Sequence, residues 1–503
     1  MIQRRIIKRA GGERIKNPIT IKVHRGTHQI GGCVTEYEYD GWHLFVDYGE
    51  ELPGGPKSGD LKVEGLTQGD LSKSALLITH YHGDHIGSIP KLPKELPIFM
   101  GSVGRGIQKI LSNKLKSVST AHKEMLARLE DVQTFEAGKC FAFGPFTIMP
   151  IVMDHSAFDA YAFRIEGGGV KVFHTGDFRT HGFRSKKLPE VIKKYVGEVN
   201  YVVCEGTNVS RPTAASLPEH ELQKNFKKAF AEYKSNIVYV SSTNVDRLFA
   251  LYHAAIAAGR KFIVDDYQMS IMEEVIKRDP IWGKSKLYKF KEDAMPMVLK
   301  YADGEFMAND KFKWLLDQVG YVLIARANPL FDDFIERIPG EKHKYLSMWK
   351  GYIDPKNEAY NESMAYSVGK GYLYMHTSGH CDMDSLNDLF QMLHPRAIIP
   401  IHTDNPEAFA KLFRREWPII VLNDGDSISP FTDRYVDTEY AMVVSGRRRK
   451  CIGYFKSNEQ ARSALAHTMF GVTNKTRYEL IDEEDMADNK KEEGLLTSLI
   501  ATE

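Results

Sequence analysis

Cysteine is scarce and unpaired in this 503-residue chain: Cys33, Cys140, Cys204, Cys381 and Cys451 are scattered, odd in number and form no Cys-x-x-Cys pair. That pattern excludes a disulfide framework or a cysteine-rich zinc site and points to a reducing cytoplasm. No stretch approaches the ~18–20 consecutive apolar residues of a membrane span. The N-terminus carries Arg4, Arg5, Lys8 and Arg9 but not the apolar run of a secretory signal. Nor is one charge in excess: 67 Lys+Arg stand against 66 Asp+Glu. This balance excludes a tail-driven polyanion binder but leaves room for a local basic groove. There is no internal repeat and no low-complexity tract. What remains is an ordinary globular composition, 43% hydrophobic and 26% charged. At about 150 residues per domain, it is enough for about two to four domains.

Along the chain the texture changes twice. Up to about residue 207, short alternating or apolar runs punctuated by glycine predict strands: Ile19 to Val23, Cys33 to Tyr39, His43 to Val46, Ala75 to Thr79, Phe146 to Val152, Ala160 to Ile165, Lys171 to His174 and Tyr201 to Cys204. A helical pattern runs from Val103 to Val132. From about 208, amphipathic helices alternate with single apolar strands, Ile237 to Val240, Phe262 to Asp265 and Tyr321 to Ile324. Such alternation marks βα units on a parallel sheet. Near 370 the short strands return, at Tyr372 to His376, Ala397 to His402 and Ile419 to Leu422. The organisation expected is an α/β protein interrupted by a second one: 1–207 and 371–440 form one domain, 208–370 is inserted, and 441–503 is an extension. The extension ends in an acidic cluster of Asp482, Glu483, Glu484, Asp485 and Asp488.

The most informative stretch is His80-Tyr81-His82-Gly83-Asp84-His85, four metal-ligand side chains within six residues just past an apolar strand. Imidazole and carboxylate suit zinc and its neighbours, and Gly83 permits the tight turn that convergence needs. The bland alternative, a polar loop with incidental histidines, does not account for that density. The hexapeptide resembles the His-x-His-x-Asp-His signature of the metallo-β-lactamase superfamily, and the other marks follow in order. Asp47 resembles its buried orienting aspartate, His155 its third-motif ligand and Asp177, in Thr175-Gly176-Asp177-Phe178, its bridging carboxylate. The insertion resembles the β-CASP branch, whose members act on nucleic acids. Cys204-Glu205-Gly206-Thr207, His376-Thr377-Ser378-Gly379-His380 and Pro400-Ile401-His402 look like its motifs A, B and C. The chain is most similar to the ribonuclease J family, over about residues 20 to 430.

The resemblance implies an αββα sandwich with an inserted β-CASP domain built on a parallel sheet. It also implies two divalent ions, zinc by default, with manganese or iron as alternatives. His80, His82 and His155 would hold one ion, Asp84, His85 and His402 the other, and Asp177 would bridge them, with Asp47 orienting. RNA phosphodiester hydrolysis, exonucleolytic or endonucleolytic, is the implied reaction. Asp84 accepts the proton of the attacking water, His380 serves the leaving oxygen, and Glu205 fixes the His380 tautomer. Ser378, Gly379, Arg247 and Ser242 are expected at the substrate. Their bland readings are turn residues and a salt bridge. His376 and His174 read as core or supporting histidines, and Arg179 as a brace for the Asp177 loop. The resemblance further implies a homo-dimer or homo-tetramer. His402 at motif C goes with RNA, whereas DNA-cutting members usually carry valine there. A DNA nuclease, a small-molecule metallo-hydrolase and a non-enzymatic RNA binder are the competing readings. The insertion weighs against the second and the full ligand set against the third. The basic run Arg447-Arg448-Arg449-Lys450 reads as a solvated face.

Overall fold

In the computed structural model, residues 19–55, 59–211, 216–278 and 285–429 are described, together with the backbone of strands Gln3–Lys8, Tyr440–Ser445, Lys450–Phe455 and Tyr478–Ile481. Two sheets face each other. The first has seven strands in the order Ser427–Ile428, Thr20–Arg25, Val34–Tyr39, Trp42–Val46, Ser74–Leu77, Ile98–Gly101 and Gln133–Phe135. The second has six: Ala397–Ile401, Tyr201–Glu205, Val170–His174, Tyr161–Gly167, Phe146–Val152 and Phe141–Phe143. Alternation drives their packing. In Thr20–Arg25 the inward Ile21 and Val23 are fully buried while Lys22 stays partly wet. They share a core with Leu44, Leu77, Ile148, Phe163, Val172, Val203 and Ile399.

Helices cover both outer faces. Ser102–Leu115 and Thr120–Asp131 bring Val103, Ile107 and Leu129 onto Leu76, Ile98 and Met100. On the other side Met383–Leu393 and Pro406–Phe413 bring Leu386, Phe390 and Phe409 onto Phe173, Val202 and Ile398. The layers are thus the expected αββα sandwich. The helical pattern over 103–132 is two helices, not one. It breaks at 116–119, where the Ser119 hydroxyl accepts from the His122 N–H and starts the second.

The inserted segment builds an all-parallel sheet, ordered Met297–Val298, Lys261–Val264, Tyr321–Ala325, Ser235–Tyr239, His343–Leu346 and Leu373–Tyr374. Its central strands are buried on both faces, which is why they read as unbroken apolar runs. Two expected assignments are corrected. Leu373–Tyr374 does not return to the sandwich, because it pairs in parallel with Tyr345 and Leu346 and so extends the inserted sheet. Ile419 to Leu422 forms no strand: its pairing is a single bridge, Ile398 to Ile419, although its side chains pack into the cores of the sandwich.

The two units share one continuous apolar core, in which Ile107 and Leu129 join Val238, Phe249 and Ile271. They pack tightly at Gly106, where a Cβ would overlap the Glu274 carboxylate. Gln3–Lys8 pairs with Tyr440–Ser445 and Tyr478–Ile481 in a four-stranded sheet of its own with Lys450–Phe455. Only the backbone of Arg4, Arg5, Lys8 and Lys450 is described. Arg9, Arg447 to Arg449 and the acidic residues from Asp482 to Asp488 lie outside the described residues. Among the described residues no helix is long and apolar enough to cross a membrane.

Candidate metal centre

The site forms where strand ends of both sheets meet. Strand Ser74–Leu77 runs out at Thr79, and a single turn, Gly83–Ile86, carries Asp84 and His85. The loop after Phe146–Val152 supplies His155, the loop after Val170–His174 supplies Asp177, and His402 follows Ala397–Ile401. Two of these positions demand an unusual backbone: Asp47 has φ 62° and His402 φ 50°, the left-handed region that non-glycine residues avoid. Gly49 has to be glycine, because a Cβ there would overlap the Asp84 carbonyl.

All seven expected ligands converge. His80 Nε2 lies 3.1 Å from His82 Nδ1, and His155 Nε2 lies 3.3 Å from the same atom. His85 Nε2 is 3.2 Å from Asp177 Oδ2, and His402 Nε2 is 3.3 Å from Asp84 Oδ2. Four of the five imidazoles are aimed by their other nitrogen. His85 Nδ1 donates to Asp47 Oδ2 (2.8 Å), His155 Nδ1 to the Gly379 carbonyl (2.6 Å), His402 Nδ1 to Thr207 Oγ1 (2.8 Å) and His80 Nδ1 to Thr79 Oγ1 (3.1 Å). Thr79 is itself fixed by donating its N–H and its hydroxyl to Asp47, both at 2.7 Å.

The donor set suits a divalent cation. Within the trio His80, His82 and His155, two nitrogens have spent their N–H elsewhere, so lone pairs face one another with too few protons between them. Their spacing is close to the ~3.3 Å that tetrahedral bonds of ~2.0–2.1 Å to zinc would impose. The second oxygen of Asp177, Oδ1, is buried without a hydrogen-bond partner, a costly state that a cation relieves. Burial and neighbouring imidazoles push His80 and His155 well below their usual range, and His82 is lowered to about 4, chiefly by burial. All three shifts favour the neutral imidazole, the form whose lone pair can bind a cation. Burial alone would raise Asp84, but His85 and His402 hold it well below the carboxylate range.

Beside the cluster, His380 Nδ1 donates to Glu205 Oε2 at 2.8 Å, and the other Glu205 oxygen accepts from the Phe178 N–H at 2.8 Å. Burial works against a proton on His380, yet Glu205 and Asp177 together raise it above its usual value. Ser378 Oγ accepts from the His380 N–H (3.1 Å). A Cβ on Gly379 would meet Ser156 Oγ at 2.8 Å, so the Gly379 carbonyl can reach His155 only because the residue is glycine.

Two expected substrate residues are not brought to the surface. Arg247 is fully buried, held by both oxygens of Glu219 and by Ser347 Oγ. Its guanidinium is spent on an ion pair between elements, which corrects the phosphate-contact reading. Ser242 is buried, and its hydroxyl accepts from Gln268 Nε2 at 3.2 Å. His174 meets the Tyr37 hydroxyl in the core at 2.9 Å, and His376 is half-buried, its surroundings lowering it to about 3, chiefly by burial.

Arg179 braces the Asp177 loop as expected and does more. Its guanidinium reaches Asp154 (2.8 Å), Glu219 (2.8 Å) and Asp246 (3.1 Å), all excluded from solvent. Arg184 joins Asp246 at 3.3 Å. Glu219, Asp246 and Arg184 carry no local sequence signal, because their partners come from distant segments. Thr79 and Thr207 were legible only as neighbours of motif residues.

Residues 68–223 match the "Beta-lactamase superfamily domain" family, and residues 373–422 match the "Zn-dependent metallo-hydrolase RNA specificity domain". Among curated relatives, ribonuclease J of Mycoplasma genitalium is 22% identical over 409 residues, covering 77% of this chain and 68% of the relative. Ribonuclease J of Mycobacterium tuberculosis is 24% identical over 404 residues, covering 75% and 67%. For that of Corynebacterium glutamicum the figures are 27% over 274 residues, covering 52% and 36%. A crystal structure of a protein of unknown function from Enterococcus faecalis V583 aligns with TM-score 0.64 at 18% identity, covering 82% of this chain and 99% of that one, and shares the fold.

Proposed function

The chain belongs to the metallo-β-lactamase superfamily, in its β-CASP, ribonuclease J-like branch, and from that premise we infer a metal-dependent ribonuclease that hydrolyses phosphodiester bonds. One observation carries the reading. His380 and His402, both inside the RNA-specificity match, meet ligands contributed by the superfamily match in one buried cluster.

We further propose two ions, zinc by default, with manganese or iron as alternatives. His80, His82 and His155 would hold the first, Asp84, His85 and His402 the second, and Asp177 both. When bound, the ions supply Lewis acidity toward the phosphate and a nucleophile from water near neutral pH. The protein's own groups do the rest. Asp84, held ionised, takes the proton of the attacking water. His380, whose protonated form Glu205 favours, gives a proton to the leaving oxygen, while Glu205 keeps the imidazole turned so that Nε2 faces the cleavage point. Ser378 and Gly379 flank that point as polar donors. The proposed units are the sandwich at 1–207 and 371–440, less strand Gln3–Lys8, which joins the four-stranded sheet of the extension at 441–503, and the insertion at 208–370, shifted to include the Leu373–Tyr374 strand. A homo-dimer or homo-tetramer and a cytoplasmic setting belong to the same proposal.

The test is digestion of RNA labelled separately at each end, with 5′ triphosphate and 5′ monophosphate versions, with and without chelator. A matched DNA strand runs alongside. Asp84→Ala should abolish RNA cleavage, and His380→Ala should slow it by about 10²–10⁴-fold. Undiminished RNA cleavage by both purified variants would refute the assignment. Preference for the DNA strand would favour a DNA nuclease.

A further inference from the structure

Scattered exposed aromatics are ordinary, but two here are paired, rigid, flanked by cations and set at the rim of the metal centre. Trp349 is 37% exposed and Tyr352 38% exposed, with ring centroids 5.7 Å apart at 82°. Both lie on the short turn that follows strand His343–Leu346 of the inserted sheet. The Trp349 ring is pinned against the backbone, because a Cβ on Gly351 would overlap its six-membered ring. The Arg211 guanidinium lies 5.4 Å from the Trp349 ring centroid, and neighbouring Lys350 lies 4.3 Å from that of Tyr374.

This rim touches both halves of the catalytic cluster. Arg211 Nη1 donates to Asn208 Oδ1 at 3.3 Å, and Asn208 Nδ2 donates to Ser378 Oγ (3.3 Å) and to the His380 carbonyl (3.2 Å). On the other side, burial raises the Tyr352 phenol, and the field of Asp84 adds to the shift. Leu52, 41% exposed, lies beside Gly31 and Asp84.

We propose that Trp349 and Tyr352 form a stacking subsite for one unpaired nucleobase of the substrate, with Arg211 taking the phosphate attached to it. The proposal rests on the ribonuclease reading and names how the strand is gripped beside the scissile bond. The chemistry is matched: every base offers a π-face, stacking is indifferent to sequence, and a guanidinium next to the platform meets the charge that accompanies each base. A pre-set ring loses little freedom on binding, so the contact is retained as affinity. The fold supplies the site economically, since strand His343–Leu346 projects its following turn toward the ligand loops.

The test pairs a protein change with a substrate change, using metal-loaded full-length protein and single-stranded RNA. One base at a time is replaced by an abasic sugar. With wild type, one abasic position close to the cleavage point should lower kcat/KM by about tenfold, mostly through KM. Trp349→Ala should show the same loss on intact RNA and little further loss when that position is abasic, whereas Trp349→Phe should recover most of the activity. Unchanged metal content and melting temperature establish that the variants are folded. The inference is overturned if wild type cleaves RNA but Trp349→Ala slows intact and abasic strands equally, or if Trp349→Phe is as impaired as Trp349→Ala. Failure of wild type to cleave any RNA overturns the ribonuclease reading and this inference with it.

Discussion

Replacing Arg179 with methionine removes the centre of a buried ionic network while keeping much of the side-chain volume. In the native protein three guanidinium groups, Arg179, Arg184 and Arg247, face three carboxylates, Asp154, Glu219 and Asp246, with essentially no solvent among them. Methionine leaves two cations against three anions. Breaking a buried pair by deleting one partner costs about 3–5 kcal/mol, because the other charge stays buried and unpaired. Proton uptake limits the loss. Asp246 already sits above the usual carboxylate range, chiefly through burial, even with Arg184 and Arg179 opposing the shift. Without Arg179 it rises further and becomes the group that neutralises. A folded-state pKa raised above the unfolded value favours the folded state as pH falls. The deficit of Arg179→Met should therefore be largest near pH 8 and narrow toward pH 5. Urea unfolding followed by tryptophan fluorescence reads both quantities, with the earliest transition analysed because a two-unit chain need not unfold in one step. Arg179→Lys keeps the charge but cannot reach three carboxylates, and should recover only part of the loss. A methionine variant within about 1 kcal/mol of wild type at both pH values would refute the reasoning, showing the network to be as replaceable as some buried ion pairs are by apolar packing.

Asp47→Ala should weaken metal binding by about 10–100-fold, measured by competition with a chromophoric chelator, because His85 and Thr79 lose the carboxylate that orients them. Chelation should lower the melting temperature, and added zinc or manganese should restore it, since ions bind the assembled cluster and not the dispersed ligands. Glu36 gives a pH signature away from the site. Burial pushes it up, but His24 and His43 hold it at about 2, and the same contact raises His43. The Glu36 contribution is present above its unfolded value of 4.5 and is lost as pH falls toward 2; that of His43 is present below 6.5 and is lost as pH rises through its folded value. Glu36→Gln should therefore lower the melting temperature most between about pH 4.5 and 6.5, and less at pH 3 or pH 9.

The ligand cluster was legible because its chemistry is local: four ligands in six residues announce themselves whatever the fold does. Asp47, His155, Asp177 and His402 were legible as an ordered series, but the backbone that aims them was not. Nothing in Phe45-Val46-Asp47 indicates a left-handed aspartate, and nothing around His402 indicates a hydroxyl at Thr207 ready to hold its ring. Arg247 was misread for a physical reason. An arginine beside a loop serves a phosphate or a buried carboxylate equally well, and its partner Glu219 lies 28 residues away on another helix. Ser242 was misread similarly, since its acceptor role depends on Gln268. The interruption and the parallel insertion followed from alternation and apolar runs, and the sandwich from the family resemblance, whereas the boundary near 370 shifted because Leu373–Tyr374 is too short to reveal which sheet it will join.

The centre draws its groups from both ends of the sandwich, and this has a consequence for synthesis. Domains generally fold as units, from the N-terminus first, as the chain emerges. The trio of His80, His82 and His155 can meet as soon as the first part of the sandwich closes. The Asp84 and His85 half stays open until His402 is made, and His380 also arrives late. On the proposed two-ion reading, a nascent chain would load one ion long before it could cut. The message being translated would then stay out of reach until nearly all of the folded body had left the ribosome.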